Sequence, residues 1–192
     1  MNAIITGPVR VKLHGTCGAG KTTIARQFFK EAKNVEPIQS NYNRKRIEAY
    51  RLDMGWNKSL YVLGSYESVC GGLDTCDADT CVDLVSRYGN LDGHVLYESM
   101  IASGFYGRMG KVSEQWGPNH IFAFLTTPIE VCIQRTEQRR RERGDLRPLD
   151  PVNVIDKDAA MQKLIKRLQG PLNREVRFVS SYEDVRYLFT EP

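Results

Sequence analysis

No apolar run in this sequence approaches the roughly 18 residues that a membrane-spanning helix requires, so no membrane partner is expected. No charged segment followed by an apolar one precedes the first strand-like run, RVKLH at 10–14, and a cytoplasmic location is expected from that. Cysteines are few and odd in number: five, at 17, 70, 76, 81 and 132. Such a set argues against a disulfide framework and for free thiols in a reducing compartment. Cys70, Cys76 and Cys81 raise the question of zinc, but no CxxC pair and no nearby histidine completes a site. The three histidines, His14, His94 and His120, are dispersed, and no Ser-His-Asp pattern accompanies them. His14 reads as a packed residue. A strong charge excess is missing too, since the net charge is only +4, too small to establish a nucleic-acid partner.

What is present fits one globular domain over residues 1–192. The chain is 41% hydrophobic and 26% charged, and at this length about 70% of the unfolded surface can be buried, so no covalent or metal staple is needed. The charge is unevenly spread, because Arg135, Arg139, Arg140, Arg141, Arg143 and Arg147 crowd one stretch.

Hydrophobic spacing predicts strands and helices in alternation. RVKLH leads into a glycine-rich loop and a helix over 22–33 that turns Ile24, Phe28 and Phe29 inward. Pro37 and the polar tract QSNYNRKR read as a connection, followed by two strands, AYRLDM and SLYVLGSY, joined by GWNK into a hairpin. A helix is predicted over 78–88 with Asp77 or Asp79 at its start, then a strand at 94–97 and a helix at 105–116. The run IFAFL at 121–125 suits a central parallel strand buried on both faces. Pro128 opens a helix that carries the arginines; a helix at 156–168, a strand at 175–180 and a helix at 181–189 complete the chain. This alternation predicts an α/β fold, a mostly parallel sheet flanked by helices with an inserted β-hairpin. Ligands in such sheets bind beyond the carboxyl ends of the strands.

The sharpest motif is G-x-x-x-x-G-K-T, placed between a predicted strand and a predicted helix. Its glycines let successive N–H groups turn toward an anion at a helix N-terminus, so Gly15, Thr16, Cys17, Gly18, Ala19, Gly20, Lys21, Thr22 and Thr23 are the expected ATP-binding residues. Lys21 is expected to reach the β- and γ-phosphates and Thr22 to ligate Mg²⁺. Glu98 closes the strand HVLYE, where a carboxylate can hold the Mg²⁺ hydration shell, or can be an ordinary surface acid at a strand end. Arg135 and Arg139 share one helical face and suit a transferring phosphoryl group, the bland alternative being a solvated basic helix.

A third constellation joins Tyr66 to Gly71, Gly72, Asp74 and Thr75. The glycine pair permits close backbone approach to a ligand, Asp74 can take the proton of a substrate hydroxyl, and Tyr66 can stack on a base. Equally open is a turn in which these residues cap the next helix. Phe105, Tyr106 and Trp116, with Arg108 and Lys111 among them, can support a nucleic-acid strand or simply pack as core.

The phosphate loop at 15–22, the strand ending in Glu98 and the strand-Pro-helix-arginine segment at 121–143 together resemble the nucleoside monophosphate kinase branch of P-loop proteins, thymidylate kinase relatives in particular. The resemblance implies the P-loop kinase fold, an arginine-rich helical lid at about 135–150 and an adenine site near Val179–Tyr182. The Asp-Arg pair of thymidylate kinases is absent after the second strand, and CGGLDT stands where a free nucleotide would be held. With the Tyr-x-x-Gly-x-Tyr run at 61–66, CGGLDT is similar to the bacteriophage 5-hydroxymethyluridine DNA kinases. That similarity implies an ATP- and Mg²⁺-dependent kinase whose acceptor is the hydroxymethyl group of a pyrimidine already within DNA. Lys21, Arg135 and Arg139 would stabilise the phosphoryl group, Thr22 and Glu98 would hold the metal, and Asp74 or Glu98 would serve as base. A kinase for a free deoxynucleotide or another small acceptor, and an ATP-dependent binding or switch protein, are the alternatives.

Overall fold

The computed structural model describes residues 7–40, 46–68, 71–99 and 106–190, without the side chains of Thr75 and residues 106–109. Cys70 and Phe105, and the side chains of Thr75, Tyr106 and Arg108, therefore lie outside what is described.

Seven strands form one sheet: β1 (Arg10–His14), β2 (Asn34–Gln39), β3 (Ile47–Asp53), β4 (Leu60–Leu63), β5 (His94–Glu98), β6 (His120–Leu125) and β7 (Glu175–Val179). Their spatial order is β2-β3-β4-β5-β1-β6-β7. From β4 to β7 every pairing is parallel, whereas β2, β3 and β4 pair antiparallel. Every residue of β1, β5 and β6 is buried, as expected of strands covered on both faces. Among the described residues, six helices pack around them: α1 (Lys21–Glu31), α2 (Ala78–Gly89), α3 (Tyr106–Glu114), α4 (Ile129–Glu142), α5 (Val152–Gln169) and α6 (Tyr182–Thr190). None of the described helices is long and apolar enough to cross a membrane.

The two faces of β1 differ in chemistry. Val9, Val11 and Leu13 meet Ile24, Ala25 and Phe28 of α1 in one core cluster. The alternate residues Arg10, Lys12 and His14 are buried as well. His14 stacks on Phe124 with ring centroids 4.4 Å apart, and burial pulls the Lys12 amine down to about 7.

Two differences from the sequence reading bear on the architecture. The segment around Pro37 is a strand, β2, which widens the expected hairpin into a three-stranded antiparallel extension. Its pattern of mostly exposed and half-exposed residues carries no period-two signal. Proline is tolerated there because an edge strand has one row of N–H positions without ladder partners. Helix α5 starts at Val152, four residues before the predicted Asp156, because Pro151 precedes it and Asp150 Oδ1 accepts the Val152 N–H at 3.0 Å. Both are helix-start signals.

Candidate active site

β1 delivers the phosphate loop to the carboxyl edge of the sheet, between β5 and β6. Gly18 and Gly20 adopt φ of 82° and 103°. Space as well as backbone conformation demands glycine at 18, since an added Cβ would stand 2.3 Å from the Cys132 carbonyl oxygen of α4. Lys21 Nζ lies back across the loop, donating to the carbonyls of Gly15 at 2.7 Å and Thr16 at 3.3 Å. Thr127 Oγ1 braces the loop from outside by donating to the Ala19 carbonyl at 2.8 Å. The Thr16 side chain is buried and donates to the Val154 carbonyl at 3.1 Å, so it ties the loop to α5 and leaves only its backbone for a phosphate.

Thr22 and Glu98, 76 residues apart in sequence, meet here: Thr22 Oγ1 donates to Glu98 Oε2 at 3.2 Å. Glu98 is 1% exposed, and burial raises its carboxyl above the ordinary range against the opposing pull of Lys21 and Thr22. Apart from the Tyr66 phenol, Oε1 of Glu98 has no hydrogen-bond partner among the described residues.

The Gly71-Gly72 pair makes a close approach, but to the protein's own chain. A Cβ at Gly71 would meet the Tyr66 ring at 2.5 Å and Thr22 Cγ2 at 2.9 Å, and one at Gly72, whose φ is 73°, would meet Glu98 Cγ at 2.4 Å. These glycines let a strap lie over the Thr22–Glu98 pair. Tyr66 differs from its sequence reading for the same reason: its ring is 8% exposed, packed beside Phe29 and Tyr50, and presents no face for a base to stack on. The capping alternative for Asp74 also finds another owner. Asp77 caps α2, its carboxylate accepting the Thr80 N–H at 2.8 Å, while half-buried Asp74 sits one turn earlier and lines the cleft with Glu98.

That cleft has a volume of about 880 Å³ and runs from Asp74 and Glu98, past the phosphate loop from Cys17 to Thr23, to Ser180–Glu183 after β7. Arg135, Arg139, Arg140 and Arg143 of α4 and its end form one wall, with Arg135 Nη1 donating to the Gly18 carbonyl at 3.4 Å. Arg141 faces away, paired with Glu137 at 2.8 Å. Asp145, which the sequence did not single out, accepts from Arg140 at 2.8 Å and from Arg147 at 2.9 Å, and both guanidinium groups hold its carboxyl well below the usual range. At the far end, Asp184 accepts the N–H groups of Ser180 and Ser181 at 2.7 and 3.0 Å and so fixes the loop there. Trp116 lies elsewhere: it packs against the core beside Gly89 and receives the Arg10 guanidinium on its ring.

No family model matches the chain. It is 30% identical over 162 residues, 83% of its length and 85% of the relative's, to a protein of Pseudomonas phage PaMx11 named 5-hmdU DNA kinase. A second protein of that name, from Pseudomonas phage M6, is 24% identical over 189 residues, covering 92% and 95% of the two chains. Among solved structures, a gluconokinase from Sinorhizobium meliloti 1021 aligns over 97% of this chain and 92% of its own, with 12% identity and a TM-score of 0.48.

Proposed function

Since the chain belongs to the 5-hmdU DNA kinase family, we propose that it is an ATP-dependent kinase that phosphorylates the 5-hydroxymethyl group of 5-hydroxymethyl-deoxyuridine within phage DNA, acting in the host cytoplasm. The observation that carries this reading is one continuous cleft joining a phosphate loop, four arginines and the acceptor-side carboxylate Asp74. A water-attacking switch has no need of so many cations along one wall.

The reaction is in-line transfer. The hydroxymethyl oxygen forms a bond to the γ-phosphorus of ATP, the bond from that phosphorus to the β,γ-bridging oxygen breaks, ADP leaves, and the hydroxyl proton passes to Asp74. Lys21, Arg135 and Arg139 stabilise charge on the transferring group, which is where catalysis of this kind resides. Asp74 is favoured over Glu98 as the base because Glu98 is already engaged by Thr22 and buried.

The Thr22 hydroxyl and the Glu98 carboxylate fit Mg²⁺: both are hard oxygen donors, and they meet beside the phosphate loop. When bound, Mg²⁺ would neutralise charge on the β- and γ-phosphates. A base within a duplex cannot reach a cleft of this kind, so the modified nucleotide must flip out, which costs a few kcal/mol.

The test is the fate of label from γ-labelled ATP offered DNA that contains 5-hydroxymethyl-deoxyuridine together with the free mononucleotide. The proposal expects label in acid-precipitable DNA; label confined to the soluble mononucleotide would overturn it in favour of a free-nucleotide kinase.

A further inference from the structure

Two buried side chains, Tyr66 and Glu98, interact behind the phosphate loop. Apart from each other, the Tyr66 hydroxyl and Oε1 of Glu98 have no hydrogen-bond partner among the described residues, although neither atom touches solvent. Buried polar atoms are rarely left so without a purpose. They belong to one small assembly. The Gly71 position touches both the Tyr66 ring and Thr22, Gly72 touches Glu98, and Thr22 is hydrogen-bonded to the other Glu98 oxygen. The strap leaves no room for a side chain here, since a Cβ at Gly71 or Gly72 would collide with Tyr66 or Glu98. A phenol carries its proton at neutral pH, so Tyr66 is a donor beside the Glu98 acceptor.

We propose that Tyr66 is a positioning residue for Glu98: its phenol donates to Oε1, fixing the plane of the carboxylate so that Oε2 and Thr22 remain in register for Mg²⁺. A carboxylate held through one oxygen alone can rotate about its last bond, whereas donors on both oxygens fix it. Partners of this kind orient a metal's ligands and account for much of its affinity. The role needs the hydroxyl and not the ring face, and so agrees with a ring that is packed away. This deepens the reading above and rests on its assignment of Thr22 and Glu98 to the metal.

Tyr66→Phe removes one oxygen and keeps the ring beside Phe29 and Tyr50. The test is calorimetric titration of the full chain with ATP, with and without Mg²⁺, in the absence of DNA, accompanied by a melting curve. The expected result is a loss of about tenfold in ATP affinity with Mg²⁺ present, unchanged affinity without it, and an unchanged melting temperature. Equal Mg²⁺ dependence in wild type and variant would overturn the proposal. So would an effect confined to KM for DNA in turnover assays, which would make Tyr66 an acceptor contact. Glu98→Gln is the reference: if it leaves the Mg²⁺ dependence intact, the metal assignment is wrong and the role of Tyr66 falls with it. With no DNA present, the outcome is independent of whether modified DNA is the acceptor.

Discussion

At the scale of single residues, chemistry and packing compete for the same positions. Lys21 donates to loop carbonyls that a nucleotide would displace. Lys21→Ala should therefore leave circular dichroism unchanged and remove most phosphoryl transfer, because no other lysine among the described residues lines that cleft. For Asp74 the account predicts a fall in transfer of about 10²- to 10⁴-fold in Asp74→Asn, with ATP affinity by calorimetry nearly constant. Its melting temperature should also hold, since the cap of α2 belongs to Asp77; Asp77→Ala, by contrast, should lower the melting temperature and cost little activity. A stability loss in Asp74→Asn without a kinetic one would reverse these assignments. The motif residues of the phosphate loop could be read from the sequence because the loop's function constrains its own spacing. Tyr66 and the glycine pair could be placed near the site but not given their roles. Whether a glycine approaches a ligand or a neighbouring side chain depends on a partner, here Glu98, that lies far away in the chain.

At the scale of elements, α4 is the decisive one. Its arginines divide by helical face: Arg135 and Arg139 line the cleft, and Arg141 is exposed beside Glu137. Arg135→Ala or Arg139→Ala should lower kcat more than it raises KM for ATP, as expected of contacts made chiefly in the transition state. Arg141→Ala should change neither, since exposed pairs contribute about 1 kcal/mol or less. Equal losses in all three variants would mean a general basic surface, and a steep salt dependence would then mark it as a DNA-backbone contact. The parallel strands were legible because burial on both faces leaves continuous apolar runs. β2 was not, because an edge strand with exposed side chains and a proline has neither alternation nor a run. Asp145 was overlooked for a related reason: a lone acid after a basic helix has no pattern until the chain folds back and sets it between Arg140 and Arg147.

At the scale of the whole molecule, the sheet carries buried histidines whose charging opposes folding. Burial holds His94 at about 4 and His120 at about 3, and lowers His14 as well. All three are depressed below the unfolded value of about 6.5, so the unfolded chain binds more protons in acid. Their contribution to stability is complete above about pH 6.5 and declines as pH falls toward the folded values, each group contributing up to about 1.4 kcal/mol per pH unit. Melting curves between pH 7 and 5 should show this decline, and His120→Gln should flatten it; a melting temperature independent of pH across that range would contradict the burial described here. The same sheet sets the Asp74 and Glu98 end of the cleft beside the phosphate loop, the arrangement that the proposed transfer to a hydroxyl requires. The most direct test of that claim is to incubate the protein with ATP and DNA containing 5-hydroxymethyl-deoxyuridine, digest the DNA to nucleosides and weigh them. The account predicts the phosphomonoester of the hydroxymethyl nucleoside, formed by wild type and lost in Asp74→Asn. Unmodified 5-hydroxymethyl-deoxyuridine in the digest, or an equal yield from DNA carrying thymine in its place, would contradict it.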